Sequence, residues 1–191
     1  MPRSAEATKS RVFAAAYKLM YREGFSRTSM DAIASAAGVT KKTLYYHFES
    51  KDALVAALLE HQRTRALALF QGWADPTAKD AAAFARSLFD KLKHWASSSP
   101  WYGSGFTRLT MELADLPGHP ARKAAHRHKA EVEAWLAEEL RRLGQGEPRE
   151  VARQLMLLIE GCLSLVLIHQ DPSYVPAAAD AADRLLSAES K

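Results

Sequence analysis

Apolar residues recur three and four positions apart along almost the whole chain, and no stretch alternates over enough residues to read as a strand. The pattern predicts an all-α chain of about nine helices. The first covers Ala5 to Glu23, with Val12, Phe13, Ala16, Leu19 and Met20 on one stripe. Gly24 supplies a left-handed C-cap, and Phe25 is placed to fold back onto the helix. Thr28, with Asp31 three residues on, reads as the N-cap of a second helix from Ser29 to Ala37, which Gly38 ends. Thr40 caps a short third helix ending near Phe48. Ser50 caps a long fourth one reaching about Trp73, with Asp52 in the first turn where the helix dipole favours a carboxylate. Asp75-Pro76-Thr77 breaks the pattern, and a fifth helix follows to about Ala96. After the loop Ser97-Ser98-Ser99-Pro100 come helices over Tyr102–Ala114, Ala121–Leu143, Glu150–His169 and Val175–Ala188. The boundary between an N-terminal head and a helical body is expected after residue 52, giving domains 1–52 and 53–191.

Charge changes this picture by its distribution. The net charge is +4, but residues 1–51 hold nine Lys/Arg against four Asp/Glu, whereas residues 52–191 hold 17 against 18. All the excess positive charge lies in the first quarter, as in a nucleic-acid-binding head on a neutral body. A protein that binds DNA without regard to sequence would spread basic charge over far more of its surface. Charge alone is also compatible with a solvated basic face that has no partner.

The stretch Thr28 to Phe48 reads T-S-M-D-A-I-A-S-A-A-G-V-T-K-K-T-L-Y-Y-H-F, two helices joined by a tight turn. Ile33, Ala34, Val39, Leu44 and Phe48 can meet in one small apolar knot, and Gly38 accepts the positive φ of the turn. At 100° per residue, an inward Leu44 sends Lys42, Thr43 and Tyr46 to the opposite side, flanked by Tyr45 and His47. That face carries an ammonium, hydroxyls and an imidazole, donors suited to phosphates and base edges. Three helix starts, at Thr28, Thr40 and Ser50, add backbone N–H groups that attract anions, the last beside Lys51. Outside such a pattern, Tyr45 and Tyr46 would read as half-buried bundle aromatics and Lys41 and Lys42 as surface lysines.

The run R-E-G-F-S-R-T-S-M-D-A-I-A-S-A-A-G-V-T-K-K-T-L-Y-Y-H-F-E-S-K-D-A-L, Arg22 to Leu54, resembles the signature of the TetR family of bacterial transcriptional regulators. The shared pattern is a Gly-Phe turn, a Thr-Ser helix start, an Ile-Ala pair, an Ala-Gly-Val turn, a Leu-Tyr pair, a Phe and a Ser-Lys-Asp start. The order of Tyr46 and His47 departs from the commoner His-then-Tyr, which leaves the contacts of those two positions open. The resemblance implies that Thr28, Tyr45, His47 and Lys51 hold the DNA backbone, and that Thr40, Lys41, Lys42, Thr43 and Tyr46 lie where groove contacts arise. It also implies a one-component regulator, a homodimer that binds double-stranded operator DNA and responds to a small-molecule effector; the cytoplasmic setting is expected from the single cysteine and the polar first ten residues. The reading is a repressor released by an apolar or aromatic ligand; a ligand-independent or activating regulator of the same fold stays open.

The body is rich in aromatic residues, most of which a helical core would use. A ligand cavity of the kind the resemblance implies is expected to draw on Phe89, Trp95, Trp101, Phe106 and Met111. The helix Leu155–Ile168 is apolar on nearly all sides, and Gly161, Cys162 and Ser164 are small enough to admit another backbone. With Leu165, Ile168, Ala178, Ala182 and Leu185 they are the expected dimer contact, a four-helix interface about a two-fold axis. The run is read as too short to span a bilayer and is interrupted by Glu160, so no membrane is expected. One cysteine excludes an internal disulfide, and the polar first ten residues offer no apolar leader core. His126 and His128, two apart on a helix, diverge by 200°, so neither a metal nor another cofactor is expected. Gly103-Ser104-Gly105 lacks the spacing and the preceding strand of a nucleophile elbow, which leaves a small helical enzyme as the remote alternative.

Overall fold

The computed structural model describes residues 2–188, with side chains from 5 to 187. Among these residues there are nine α-helices and no strand: α1 (Pro2–Glu23), α2 (Met30–Ala37), α3 (Lys41–His47), α4 (Lys51–Trp73), α5 (Ala81–Ala96), α6 (Gly105–Glu112), α7 (Pro120–Arg142), α8 (Pro148–His169) and α9 (Tyr174–Ala188). Each lies within a few residues of its predicted place, and the departures have local causes. α6 starts at Gly105 rather than Tyr102, behind Gly103 at φ 82°. α8 starts earlier, because Pro148 sits at the first helical position, where its missing N–H costs nothing.

The chain gathers into two compact units. The first joins the residues up to Thr64 with Gly105–His126; the second joins Arg65–Ser104 with the chain from Arg127 onward. A boundary after residue 52 therefore falls inside the first unit, since α4 buries Leu54, Val55, Leu58 and Leu59 there. α6 adds buried Phe106 and Leu109 to that unit, and the start of α7 adds Ala121, Ala124 and Ala125.

The second unit has one apolar core. α5 contributes Phe84, Leu88, Phe89 and Leu92, α7 Val132, Leu136 and Leu140, α8 Leu155, Ile159 and Leu163, and α9 Val175, Ala182 and Leu186. Three- and four-residue spacing puts each set on one face of its helix, and each fully buried Leu or Phe is worth about 1.5–3 kcal/mol. α9 packs on both α5 and α8. By length and composition α8 is apolar enough to cross a membrane, contrary to the reading of its apolar run as too short. Val151 and Ala152 add apolar residues before Arg153 and Gln154, and both are buried in the core with six further residues of the helix.

Candidate DNA-binding face

The geometry of the first unit follows from its caps. Ser29, not Thr28, is the N-cap of α2: its backbone is extended and its side chain accepts from Ala32 N at 3.1 Å. Gly38 ends α2 in the left-handed conformation at φ 63°, with its N–H on the carbonyls of Ala34 and Ser35, and Val39 N returns to Ala34 O at 3.0 Å. Thr40 caps α3, accepting from Thr43 N at 3.1 Å, and the Thr40 and Thr43 hydroxyls lie 2.8 Å apart. Ile33, Ala34, Leu44 and Phe48 are buried and Val39 is half-buried, which is the knot the spacing predicts.

With Leu44 and Phe48 fixing the inner side of α3, Lys41, Lys42, Tyr45 and Tyr46 are exposed, and Thr43 and His47 are half-buried. Tyr46 projects furthest, at 85% exposure, its ring edge-on to His47. Lys41 pairs across the turn with Asp31 at 2.9 Å, which raises its pKa through that hydrogen bond and charge. The outer face of α3 thus presents ammonium, phenol and hydroxyl groups side by side on a short rigid helix.

Two residues expected on the DNA backbone are turned to other work. Thr28 is 1% exposed, and its hydroxyl donates to Gly24 O at 2.8 Å, closing the turn between α1 and α2. Lys51 Nζ donates to Phe25 O at 2.9 Å and Thr28 O at 3.1 Å, and lies 4.1 Å from the centre of the Phe25 ring. Its ammonium adds a second donor to Phe25 O, which also accepts from Thr28 N at 3.2 Å, and ties both carbonyls of that turn to the start of α4. Ser50 caps α4 as expected, accepting from Ala53 N at 3.1 Å.

Residues distant in sequence complete the unit. Glu112, at the end of α6, accepts from Phe25 N at 3.2 Å and from Ser26 N at 3.0 Å, and takes the Ser26 hydroxyl at 3.2 Å. Arg108 donates to Tyr21 O at 2.7 Å. His119 is buried with its Nδ1 accepting from Ala121 N at 3.1 Å. Its Nε2 stands 3.3 Å from Asp52 Oδ1 without the alignment of a hydrogen bond. A cavity of about 40 Å³ lies among Tyr17, Met20, Phe25, Val55, Leu58 and Leu109. An apolar cavity of about 150 Å³ admits a benzene-sized molecule, and this one is several times smaller.

The five residues expected to line a ligand cavity are divided between the two units. Phe106, buried, and Met111, 63% exposed, belong to the first unit; Met111 faces solvent because α6 turns Phe106 and Leu109 inward instead. Phe89 is sealed in the core of the second unit. Only Trp95 and Trp101 meet, edge to face with ring centres 5.4 Å apart. Trp73 joins them at 5.7 Å from Trp95, and the Phe70 ring lies tilted against Trp73 with centres 4.9 Å apart. The Trp101 indole nitrogen is buried with no hydrogen-bond partner.

The expected dimer contact divides in the same way. Cys162, Ala178 and Ala182 are buried in the core of their own unit and cannot reach another subunit, since α8 and α9 pack these faces on each other. Gly161, Ser164, Leu165 and Ile168 lie on the outer side of α8 with Leu157, which the sequence reading missed. Leu157 and Ile168 are 70% exposed, Leu165 is 38% exposed, and Leu185 of α9 is half-buried. Burial pushes the Cys162 thiol up to about 12.

Comparison with known proteins bears on the head and on the fold separately. Residues 12–58 match the family described as bacterial regulatory proteins, tetR family. The HTH-type transcriptional regulator UidR of Escherichia coli is 38% identical over 71 residues, covering 37% of this chain. The match spans 36% of UidR, about a third of that relative's length. Among solved structures, a putative TetR-type transcriptional regulator (sav143) of Streptomyces avermitilis superposes with a TM-score of 0.77 at 29% identity, over 92% of this chain and 98% of that one. SCO4454 of Streptomyces coelicolor, a TetR-family transcriptional regulator, gives 0.81 at 24% identity over 97% of each chain, a likeness of fold alone.

Proposed function

We propose that the chain is a cytoplasmic one-component transcriptional regulator of the TetR type, a binding protein rather than an enzyme, a reading that the match of residues 12–58 to the tetR family of bacterial regulatory proteins supports. Its heads read operator DNA through α3. The observation that carries this reading is the outer face of α3: Lys42, Tyr45 and Tyr46 stand exposed beside the Thr40–Thr43 hydroxyl pair, while Leu44 and Phe48 lock the helix from behind. A helix held on one side and polar on the other is what entry into a major groove requires.

Two copies pair through the outer face of α8, where Leu157, Gly161, Leu165 and Ile168 form an apolar stripe one to two turns apart. A two-fold pair sets the α3 helices on half-sites about 34–36 Å apart. The effector is a small aromatic or apolar molecule bearing a hydrogen-bond acceptor. The Trp73, Trp95 and Trp101 cluster supplies the ring contacts, and the unpartnered Trp101 N–H supplies the donor. Effector binding releases the protein from DNA, and the bound protein acts as a repressor. α4 runs through both compact units, so a change of its setting at Trp73 is carried toward its start at Lys51.

The test is selection of duplexes from a random pool by the purified protein. The expected product is a two-fold symmetric site bound at least a thousandfold more tightly than random DNA, as is usual for specific recognition. A protein that enriches no site above random sequence at physiological salt is not a regulator of this kind.

A further inference from the structure

We propose that Glu112 and Arg108 of α6 form a polar latch on the turn between α1 and α2, through which the setting of α6 is felt at the DNA-reading helix. The inference rests on the regulator reading and adds to it a second route besides α4. Arg108 donates to Tyr21 O, a carbonyl of the last turn of α1, where a cation also meets the negative end of the helix dipole. One turn further along α6, the Glu112 carboxylate takes the successive N–H groups of Phe25 and Ser26 and the Ser26 hydroxyl. Successive N–H groups aimed at one anion make a nest, and bonds to an ionised acceptor are roughly twice as strong as neutral ones. The approach is close: a Cβ on Gly24 would stand 3.2 Å from Glu112 Oε1, and Gly24 is at φ 95°.

The gripped turn is where the head is tied together. Thr28 bonds back to Gly24 O, and Lys51 at the start of α4 bonds to Phe25 O and Thr28 O. Ser29 then caps α2, and α2 holds the turn into α3 through Ala34 O. From Glu112 to Thr40 the path is therefore a continuous series of hydrogen bonds and one short helix, a physical network of the kind that transmits coupling. α6 is also well placed in the chain to be moved. The segment 105–126 continues at both ends into the second unit, where the aromatic cluster lies. A polar latch at an exposed residue suits a switch, because Glu112 can exchange the N–H groups for water at modest net cost.

The latch is tested by hydrogen exchange and DNA binding on the full-length protein, with a duplex selected by the wild type from a random pool. Linkage requires that DNA on the head be felt at α6, so the duplex slows exchange of the 109–113 amides in the wild type. In Glu112→Ala and in Arg108→Ala that slowing disappears, the Phe25 and Ser26 amides of the Glu112 variant exchange faster, and the duplex binds about tenfold more weakly. Amides of α5, α8 and α9 are unchanged, which reports intact folding. If Glu112→Ala does not fold, Glu112→Gln, which keeps one acceptor and removes the charge, gives the same changes at smaller size. DNA-dependent protection at 109–113 that survives in the folded variants overturns the latch, as does unchanged duplex affinity in both. A wild type that selects no duplex overturns the regulator reading and the latch with it, an outcome distinct from variants that behave like a DNA-binding wild type.

Discussion

Lys42 and Lys51 stand nine residues apart and do different things. Lys42 lies exposed on the outer face of α3, whereas the Lys51 ammonium is held by Phe25 O and Thr28 O over the Phe25 ring. Removing one lysine–phosphate pair lowers the slope of log affinity against log salt by about 0.9. Lys51→Gln is therefore expected to weaken binding to every duplex with its salt slope unchanged, by loosening the head at a cost of about 2 kcal/mol. Lys42→Ala is expected to change the preferred site or to reduce the slope by about one. Titrations at several salt concentrations separate the two, and a reduced slope for Lys51→Gln would return that residue to the DNA backbone. Cys162 gives a second test. Its thiol is pushed from 9.0 to about 12 by burial, so folding favours the protonated form. That contribution to stability is whole below pH 9.0 and is lost as pH rises toward about 12. Native Cys162 is expected to resist alkylation at about pH 9 and to react at once in denaturant; mass spectrometry that finds equal rates would contradict the burial. The residues on α3 were legible because a helix anchored by Leu44 has only one outward side. Thr28 and Ser29 were not distinguishable in sequence, since both carry hydroxyls at a helix start. The bond of Thr28 back to Gly24 O, four residues earlier in the same turn, decides which one caps.

At the scale of elements, helix number and order were legible because apolar spacing and capping residues act locally, within one or two turns. What spacing could not supply was the phase of a helix that is apolar all round. On α8 the small residues Gly161, Cys162 and Ser164 read alike, yet Cys162 is buried in the core while Gly161 is exposed. The contact of Glu112 with Phe25 and Ser26 was invisible for another reason: the partners are 87 and 86 residues apart, and nothing local to either marks the pairing. Leu157 and Ile168, each 70% exposed on α8, are large apolar surfaces that a second copy would cover. Leu157→Glu and Ile168→Glu are each expected to give a folded monomer in sedimentation, with weakened binding to a two-half-site duplex. A charge there meets water in the monomer, so the melting temperature of the isolated subunit should change little. Variants that sediment as dimers would move the interface off this face.

For the whole molecule, the sequence boundary after residue 52 misses how the chain is shared, because α6 and the start of α7 return to the unit that contains α3. That arrangement provides an internal reporter. The protein has four tryptophans, Trp73, Trp95, Trp101 and Trp135, and all belong to the second unit, none to the one that contains α3. A duplex bound by α3 alters Trp emission only if the head and the second unit are coupled. An effector at the Trp95–Trp101 pair quenches that emission directly, which makes the same signal a screen for ligands. If such a ligand and the operator act through two settings of α4 and α6, each must weaken the other by one common factor, because the coupling free energy belongs to the pair of sites and not to either. Couplings of this kind usually amount to about 5- to 150-fold. The expected outcome is that a ligand found by Trp quenching lowers operator affinity by some factor in that range, and that saturating operator lowers ligand affinity equally. Unequal factors would point to a third species, such as a monomer populated by one ligand. A ligand that quenches Trp101 strongly but leaves operator affinity untouched would show that the aromatic cluster binds without signalling, and the effector site would then have to be sought elsewhere in the second unit.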